Sequence, residues 1–393
     1  MSQPVYILSA RRTPMGGFQG DFAAISASQL GAAAIRAAVT ESGVADEAID
    51  GVIMGNVIMA GQGQAPARQA TLGAGLPESC PAVTINKMCG SGLKAVMDAH
   101  DQILAGSAEI LVAGGMESMT GAPYLLPKAR GGFRMGHGEV KDSMFLDGLE
   151  DAYDRGRLMG TFAEECARDY QFTREAQDAW ALRSLERANA AIASGAFEAE
   201  ITPVMVEGRG GTIEVRVDEQ PGKARPEKIP TLRPAFAKDG TVTAANSSSI
   251  SDGAAATVVA SAAAAERLGR APVARIVAHA THAQKPALFT TAPVGAVRRL
   301  LDRCGWSVGD VDLFEVNEAF AVVAMAATRD LGLSEDRVNI HGGACALGHP
   351  IGASGARVLA TLIHALQRHG GRRGVATLCI GGGEAVAMAV ELA

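Results

Sequence analysis

Apolar residues in the first 118 positions recur in short runs whose spacing alternates between that of strands and that of helices. Four runs are strand-like: residues 4–10, 50–57, 81–86 and 110–114. The third is followed at once by a helical run in which Leu93, Val96 and Met97 share a face, and which ends near Gly106. Strands separated by helices predict an α/β fold whose sheet is at least partly parallel.

The alternation of strand-like and helix-like runs is lost between about residues 119 and 246. Residues 122–145 and 207–234 are rich in glycine, proline and basic side chains and hold no sustained period. A long helical run, from Thr173 to a stop at Gly195, lies between them. An irregular block between two regular parts predicts an insertion that lies over a functional site.

The last part of the chain, residues 272–393, returns to the alternation and resembles the first part in two places. Ser91 and Ser354 each open a helix, and residues 110–117 are similar to residues 376–384. Two similar halves are therefore predicted. Residues 1–118 with about 247–271 form the N-terminal half, 119–246 form an inserted loop domain, and 272–393 form the C-terminal half.

Composition narrows the class of protein without indicating a reaction. The formal net charge of −6 gives no electrostatic reason to expect a nucleic-acid partner. No apolar run is long enough to span a bilayer, and the ends of the sequence read neither as a secretory signal nor as a peroxisomal address. The six cysteines form no Cys-x-x-Cys pair, which is typical of reduced thiols in a cytoplasmic protein.

Cys89 lies in the segment Asn-Lys-Met-Cys-Gly-Ser-Gly, at a predicted turn from a strand into a helix. Backbone N–H groups and the helix dipole at such a turn stabilise a thiolate, so we expect a lowered thiol pKa and a nucleophile. The glycines beside it leave room for a substrate to approach the backbone. A buried structural thiol is the alternative interpretation of this cysteine.

Three further segments carry groups suited to proton transfer or to stabilising charge. His349 stands between Gly and Pro in a glycine-rich loop, which favours a base with a fixed ring over a core histidine. Cys379 ends an apolar strand, and the glycine amides after it, Gly381 among them, are suited to hold an oxyanion. Asn317 follows a strand-like run at residues 311–316 and is either a helix cap or a residue that positions a water.

Two common binding motifs are incomplete in the sequence. No segment combines a strand, Gly-x-Gly-x-x-Gly and a ribose-binding acid about 20 residues on, as dinucleotide binding requires. His279 and His282 form a His-x-x-His pair, but no cysteine or carboxylate pattern completes a zinc site around them. No metal site is predicted.

Taken together, four segments resemble the thiolase family over essentially the whole chain. They are Cys-Gly-Ser-Gly at Cys89, Asn-Glu-Ala-Phe at Asn317, Gly-His-Pro-Ile-Gly at His349 and Cys-Ile-Gly-Gly-Gly at Cys379. They occur in the family's order and at its spacing. The resemblance implies a layered αβαβα fold of two similar halves, with an inserted loop domain that binds coenzyme A (CoA).

The resemblance also implies a role for each reactive residue. Cys89 is expected to take the acyl group, and His349 to generate its thiolate and later to donate to a thioester oxygen. Cys379 is expected to remove the α-proton of the second acetyl-CoA, or to return it in thiolysis. Asn317 is expected to hold the water of a first oxyanion hole, and the N–H groups of Cys89 and Gly381 to form the second.

A second set of residues matches family positions around the substrate. Ser248 matches a contact with the pantetheine arm, Leu158 and Met159 lie near the thioester, Phe236 and Phe320 match the pocket wall, and Lys223 or Arg225 is expected at the CoA 3′-phosphate. Short-chain biosynthetic members carry a histidine before the Met-Gly pair, where this chain has Leu158. An apolar residue there removes a polar contact and weakens the expectation of a narrow preference for acetoacetyl-CoA.

The activity implied is that of an acyl-CoA C-acetyltransferase, the reversible Claisen condensation of two acetyl-CoA to acetoacetyl-CoA and CoA through an acyl-cysteine. The alternative is a 3-ketoacyl-CoA thiolase of fatty-acid β-oxidation with a broader chain range. A decarboxylating condensing enzyme would not need Cys379 in this setting, and an inactive CoA-binding scaffold would not need four competent reactive residues. We further expect CoA thioesters as substrates, no resident cofactor, no nucleic-acid or membrane partner, and a homotetramer joined through residues 122–145.

Overall fold

The computed structural model describes residues 3–208 and 210–393; residues 1, 2 and 209, which fall within the predicted N-terminal half and insertion, lie outside the described residues. The strands are β1 Val5–Arg12, β2 Gly16–Gly17, β3 Gly51–Gly55, β4 Ala82–Ile85, β5 Ile110–Ser118, β6 Tyr124–Leu125, β7 Lys141–Asp142, β8 Val204–Gly208, β9 Gly211–Val215, β10 Ser251–Ser261, β11 Ala274–Ala283, β12 Leu313–Val316, β13 Arg373–Ile380 and β14 Glu384–Leu392. The α-helices are α1 Ala27–Ser42, α2 Pro66–Gly73, α3 Ser91–Leu104, α4 Met159–Tyr170, α5 Arg174–Ala193, α6 Glu219–Lys223, α7 Ala262–Arg267, α8 Ala292–Cys304, α9 Ala321–Leu331, α10 Ala344–Leu347 and α11 Ser354–His369.

The elements predicted from the hydrophobic pattern are confirmed, with ends that shift by a few residues. The four predicted strands are β1, β3, β4 and β5, and the helical run that follows the third is α3. The run that starts at Thr173 is α5, with the Thr173 hydroxyl accepting from Ala176 N as an N-cap. Every residue of β5 and β10 is buried, so these strands read as continuous apolar runs rather than as alternating ones.

The long strands join one sheet in the order β12-β13-β14-β11-β1-β10-β5-β3-β4, with β2 paired to β10. In its N-terminal part β3 lies parallel to β4 and β5, and β10 and β1 follow antiparallel. The C-terminal part repeats this pattern, because β12 lies parallel to β13 and is followed by antiparallel β14 and β11. Val338 bridges β12 in parallel, in the place that β4 takes beside β3. The two halves therefore share one topology, as the internal repeat predicted.

Three apolar clusters divide the molecule into five layers. One cluster fills the space between the two parts of the sheet and includes the buried faces of α3 and α11. The second lies between the N-terminal part and α1 and α2, and the third between the C-terminal part and α8 and α9. The order is thus helix, sheet, helix, sheet, helix, which confirms the layered αβαβα fold. Within the described ranges, no helix is both long enough and apolar enough to cross a membrane.

The two central helices cross where a glycine of each faces the backbone of the other. A Cβ on Gly92 of α3 would lie 2.7 Å from Ala356 N, and a Cβ on Gly355 of α11 would collide with Leu93 N. Close approach of this kind requires residues without a side chain. It brings the start of α3, beside the predicted nucleophile, next to the start of α11, beside the predicted base.

The irregular block interrupts the N-terminal half at one connection. Gly381–Gly383 alone joins β13 to β14, whereas residues 119–250 join the equivalent strands β5 and β10. The block holds α4 to α6 and the pairs β6–β7 and β8–β9. The fully buried guanidinium of Arg12 on β1 anchors it, donating to the carboxylates of Glu200 and Asp218. The division into domains at residues 118, 246 and 271 stays a prediction.

Candidate active site

The chain passes from β4 into α3 through a strained turn that carries Cys89. Met88 has a left-handed backbone with φ of 46°, which is uncommon for a residue other than glycine. The Ser91 hydroxyl secures the turn, because it accepts a backbone N–H at 2.8 Å and donates to Met88 O at 2.7 Å. Gly90 lets the turn approach β13, since a Cβ there would lie 2.5 Å from an isoleucine side chain. These contacts place the Cys89 thiol just before the N-terminus of α3.

Two backbone N–H groups reach the Cys89 sulfur, its own and that of Gly381. Burial raises the pKa of the Cys89 thiol to about 11, and these two N–H groups offset only part of that effect. The expected lowering of this pKa is therefore wrong for the resting protein, because desolvation outweighs the N–H groups and the helix end. The thiol has to give its proton to a nearby base before it can attack a thioester.

His349 is buried, and the hydroxyl of Ser354 holds its ring from one side. Ser354 Oγ lies 2.5 Å from His349 Nδ1 and is 2.9 Å from the carbonyl oxygen of Pro350. The hydroxyl has one proton, which it donates to the carbonyl, so its oxygen accepts from Nδ1–H. His349 Nε2 is then left with a lone pair. Burial, aided by the positive charge of Arg357, lowers the pKa of His349 to about 3, so the ring is neutral near pH 7 and its Nε2 carries no proton.

The loop that carries this histidine is tied to the N-terminal half by the buried carboxylate of Glu117. It accepts a hydrogen bond from Gly352 N at 2.9 Å. On the other side it accepts from Val57 N at 3.0 Å, from Ile58 N at 3.2 Å and from Asn56 Nδ2 at 2.6 Å. Four donors on one carboxylate join two segments that are far apart in sequence, and they fix the loop of His349 against residues 56–58.

Sequence reasoning does not single out Glu117 as a functional residue, and the internal repeat is the one signal that contains it. The repeat pairs Glu117 with Glu384, yet their partners differ in the structure. Glu384 is partly exposed and forms an ion pair with Lys87, two residues before Cys89. Two equivalent glutamates thus support the two sides of the site, one by hydrogen bonds and one by charge.

Asn317 lies directly after β12 with its amide next to His349. Its Nδ2 is 3.5 Å from each ring nitrogen of His349, and its Oδ1 accepts no hydrogen bond from any described residue. The helix α9 begins at Ala321 with Phe320 as its N-cap, so the interpretation of Asn317 as a helix cap is wrong. A buried amide with spare hydrogen-bonding capacity beside the base is suited to hold a substrate oxygen or a water.

Cys379 lies near the end of β13 and is buried among apolar side chains of α4 and α9. Burial raises the pKa of the Cys379 thiol well above its ordinary value, and the neighbouring Cys89 raises it further. The turn after it requires glycine: Gly382 and Gly383 have φ of 94° and 84°, and a Cβ on Gly383 would lie 2.5 Å from Gln284 O. This turn delivers the Gly381 N–H to the first cysteine.

Three of the predicted pocket residues share one apolar cluster with Cys379, namely Met159, Phe236 and Phe320. The rings of Phe236 and Phe320 meet edge to face, with centroids 5.9 Å apart. A Cβ on Gly381 would lie 3.7 Å from the terminal methyl of Met159. The structure therefore brings these side chains to the second thiol and to the glycine turn.

Two further predicted contacts adjoin this cluster. Leu158 is partly buried and is the N-cap residue of α4, directly before Met159. Ser248 is held by Ala319, whose carbonyl accepts from the Ser248 backbone N–H at 3.0 Å and from its hydroxyl at 2.9 Å. Leu158 therefore precedes one member of the cluster in sequence, and Ser248 is hydrogen-bonded to another, Ala319.

The two predicted phosphate contacts lie on the exposed surface of the insertion. Lys223 forms an ion pair with Glu219, whose carboxylate also accepts from the backbone N–H groups of Gly17 and Asp21. Arg225 follows α6 and is exposed. Lys223 already has an acidic partner, so its contact with a CoA phosphate stays a prediction, as does that of Arg225.

Comparison with known families identifies two consecutive matches along the chain. Residues 5–263 match the family described as thiolase, N-terminal domain, and residues 270–392 match thiolase, C-terminal domain. The boundary falls between β10 and β11, where the first half of the topology ends and the second begins. The matches together cover nearly the whole sequence.

Individual relatives agree with these matches. The acetyl-CoA acetyltransferase of Pseudomonas aeruginosa is 51% identical over 98% of this chain and 98% of its own length, and that of Escherichia coli is 50% identical over 98% of each. The crystal structure of the Bacillus anthracis acetyl-CoA acetyltransferase superposes with a TM-score of 0.97 at 39% identity, over 100% of this chain and 99% of that one. A thiolase of Ascaris suum in complex with coenzyme A gives 0.94 at 42% identity, over 100% of both chains.

Proposed function

The chain belongs to the thiolase family, and we propose that it condenses two acetyl-CoA into acetoacetyl-CoA and CoA, and runs the reverse thiolysis, as an acetyl-CoA C-acetyltransferase. One observation carries the proposal. The backbone N–H groups of Gly381 and of Cys89 itself face the Cys89 thiol, and a second thiol, Cys379, lies close enough for Cys89 to raise its pKa. A single acyl transfer needs one thiol, whereas carbon–carbon bond formation also needs a group that moves an α-proton.

In the first half-reaction His349 Nε2 takes the proton of the Cys89 thiol, and the thiolate attacks the carbonyl carbon of acetyl-CoA. The oxyanion that forms is held by the backbone N–H groups of Cys89 and Gly381, which already meet at the sulfur. Each such donor is worth roughly 3–4 kcal/mol of barrier. The C–S bond to CoA breaks, the leaving thiolate takes a proton from Cys379, and acetyl-Cys89 remains.

In the second half-reaction the Cys379 thiolate removes an α-proton from a second acetyl-CoA. The raised pKa of the Cys379 thiol makes its thiolate a strong base, which suits so weak a carbon acid. The enolate oxygen is held by His349 Nε2–H and by a water on Asn317. The enolate carbon attacks acetyl-Cys89 and displaces the Cys89 thiolate, which recovers its proton from His349. Both thiols and the imidazole return to their starting forms.

The substrate channel, the absence of a cofactor and the location of the protein are also part of the proposal. Ser248, Leu158, Met159, Phe236 and Phe320 line the acyl and pantetheine channel, and Lys223 or Arg225 meets the CoA phosphate. The two half-reactions balance with the side chains and the two thioesters, so we propose no resident cofactor. All six cysteines are free thiols, which supports a cytoplasmic location.

We also propose a homotetramer built through the loop at residues 122–145. This loop exposes large apolar side chains, including Tyr124, Leu126, Phe133, Met135 and Val140. Val83 on β4, at the end of the sheet, is likewise exposed. Exposed apolar side chains and a free sheet edge are typical of surfaces that pair with another copy.

The experiment that tests the function is brief incubation with acetyl-CoA followed by mass spectrometry. We expect one acetyl group per chain, and digestion should locate it on Cys89. Cys89→Ala should take up no acetyl group and lose both condensation and thiolysis. Acetyl groups found on Cys379 would reverse the proposed roles of the two thiols.

A second experiment distinguishes this activity from that of the broader 3-ketoacyl-CoA thiolase. It measures initial rates of CoA-dependent cleavage for a series of 3-ketoacyl-CoA substrates of increasing chain length. Rates that peak at acetoacetyl-CoA and fall with chain length support the proposal. Rates that rise with chain length would favour the broader enzyme, which the apolar Leu158 beside Met159 would suit.

A further inference from the structure

A cluster of side chains of the kinds that can hold a metal ion lies apart from the thiols, where α3 of the N-terminal half meets β11 of the C-terminal half. It consists of His100 and Asp101, near the C-terminal end of α3, and of His279 on β11. One ligand atom from each residue lies within 4.8 Å of the other two. The proposed reaction uses none of them.

The two imidazoles converge on one carboxylate oxygen. Asp101 Oδ1 is 3.0 Å from His100 Nδ1 and 2.8 Å from His279 Nε2, and the two rings are nearly perpendicular with centroids 5.1 Å apart. Ligands of a tetrahedral zinc ion stand roughly 3.3 Å apart, given bond lengths of about 2.0–2.1 Å. An ion between these groups would require the exposed Asp101 side chain to withdraw by a few tenths of an ångström. It would also require the two imidazole nitrogens, which lie within 4.8 Å of each other, to stand about 3.3 Å apart.

The surroundings hold the two histidines in place and leave the aspartate adjustable. His279 is fixed by the pairing of β11 with β14, opposite Met388, and Arg303 donates to its backbone carbonyl at 2.6 Å. His100 is buried on a central helix. The nearest cation on that helix, Lys94, is paired with Asp98 one turn on, which limits its repulsion of an ion.

We propose that His100, Asp101 and His279 form a binding site for a divalent transition-metal ion, with Zn²⁺ as its best occupant. Two imidazole nitrogens and one carboxylate oxygen are the donor set that zinc, cobalt, nickel and copper ions prefer over magnesium or calcium. Three protein ligands leave one position for solvent, because Asp101 is exposed. The sequence predicted no metal site at the His-x-x-His pair, and His282 contacts Gln284 at 3.0 Å and is not part of the cluster.

The position of the site gives it a mechanical consequence. The helix α3 begins two residues after Cys89, whereas β11 belongs to the other half of the sheet. An ion bound to both would link α3, the helix that follows the nucleophile, to the C-terminal half. Binding to the folded state alone raises thermal stability with ion concentration.

The proposal is tested by equilibrium dialysis of the intact protein against Zn²⁺ at micromolar free concentration. Atomic emission then measures the metal bound per chain. The thiols are a competing site, so parallel titrations use Co²⁺, whose sulfur charge-transfer band reports thiolate ligands and whose visible bands report nitrogen and oxygen ligands. The variants are Asp101→Asn, His279→Ala and the matched control His282→Ala from the same strand. Asp101 is exposed, so its variant is expected to fold and to keep its turnover in the absence of metal.

We expect the wild type and His282→Ala to bind one ion with nitrogen and oxygen ligands and to melt at higher temperature in Zn²⁺. Asp101→Asn and His279→Ala should bind that ion at least about tenfold more weakly and lose the shift in Tm. Equal binding by all four proteins would overturn the proposal, as would Co²⁺ spectra with thiolate ligands only. If the wild type bound no Zn²⁺ at micromolar free ion, the proposal would also be overturned. The three residues would then be joined only by their two hydrogen bonds.

Discussion

The two reactive thiols have different roles in the proposed reaction, and Cys379 acts as the base. Cys379 is 1% exposed, and burial raises its pKa well above the ordinary value, which makes its thiolate a strong base. Cys379→Ser keeps the size of the side chain and a hydroxyl but loses the acidic thiol. We expect this variant still to acetylate Cys89, whereas condensation and thiolysis fall by about 10²–10⁴-fold. Intact-mass measurement of the acetyl-enzyme and steady-state rates in both directions check this.

A matched control is available in the same cluster. Cys166 on α4 is also buried, and burial raises its pKa to about 11, but the proposed reaction does not use it. Cys166→Ser should therefore keep turnover. Cys379→Ser should in addition fail to exchange the α-protons of bound acetyl-CoA with deuterated water. Near-normal turnover of Cys379→Ser would show that this thiol is a packed core residue.

At the scale of elements, the crossing of α3 and α11 holds the nucleophile and the base together. A Cβ on Gly355 would collide with the backbone of Leu93, which belongs to the first turn of α3 and cannot move aside as a flexible side chain would. We expect Gly355→Ala to lower the free energy of unfolding by about 1–3 kcal/mol and to slow acetylation of Cys89, because the two helix starts are pushed apart. Urea unfolding and single-turnover acetylation measure the two effects.

Gly222→Ala is the control for this substitution. Gly222 lies within α6, and a Cβ there would meet nothing within 4 Å. Alanine should be neutral at this position, or stabilising by up to about 1 kcal/mol. If Gly355→Ala were as stable and as active as Gly222→Ala, the close crossing would not be what positions the two reactive residues.

At the scale of the whole molecule, the proposed tetramer assembles through the exposed loop at residues 122–145. Met135 is 95% exposed in the single chain, so an aspartate there should leave the fold intact. We expect Met135→Asp to convert tetramers into dimers that keep their activity, because a charge is costly to bury in an apolar contact. Light scattering across micromolar concentrations measures the mass.

Met205 on β8 provides the comparison, since it is also an exposed methionine, at 56%, but lies outside the loop. Met205→Asp should remain tetrameric. A wild-type mass equal to that of a dimer throughout would contradict the proposed assembly.

Stability of the whole chain should also depend on pH, through two buried histidines. Burial lowers the pKa of His341 to about 4 and that of His349 to about 3, whereas an unfolded histidine titrates near 6.5. The unfolded chain then binds more protons below about pH 6.5, so this contribution to stability is present above that pH and is lost as the pH falls. The slope is up to about 1.4 kcal/mol per pH unit for each histidine.

Urea unfolding at fixed protein concentration, from neutral pH down to about pH 5, measures this slope. His341→Gln should make the fall with acid shallower, because one of the two groups is removed. His137→Gln, which changes an exposed histidine in the loop, should leave the slope unchanged. An identical slope in all three proteins would contradict the assignment.

The local pattern of the sequence was sufficient for the elements and for the reactive residue types. Strands and helices follow from the spacing of apolar residues, and the repeat around Ser91 and Ser354 predicted two halves of one topology. The segments around Cys89, His349 and Cys379 combine a reactive side chain with glycines that need particular backbone conformations, which is information a short window contains.

Tertiary structure alone decided the pKa values of these groups and the distant residues that hold them in place. The helix start predicted a low pKa for Cys89, but desolvation in the folded protein raises it, and no local pattern contains that burial. Glu117 holds Gly352, 235 residues away, and His279 meets His100 and Asp101 rather than His282. Desolvation and long-range hydrogen bonds depend on which distant segments pack together, and that is settled by the folded chain rather than by neighbours in sequence.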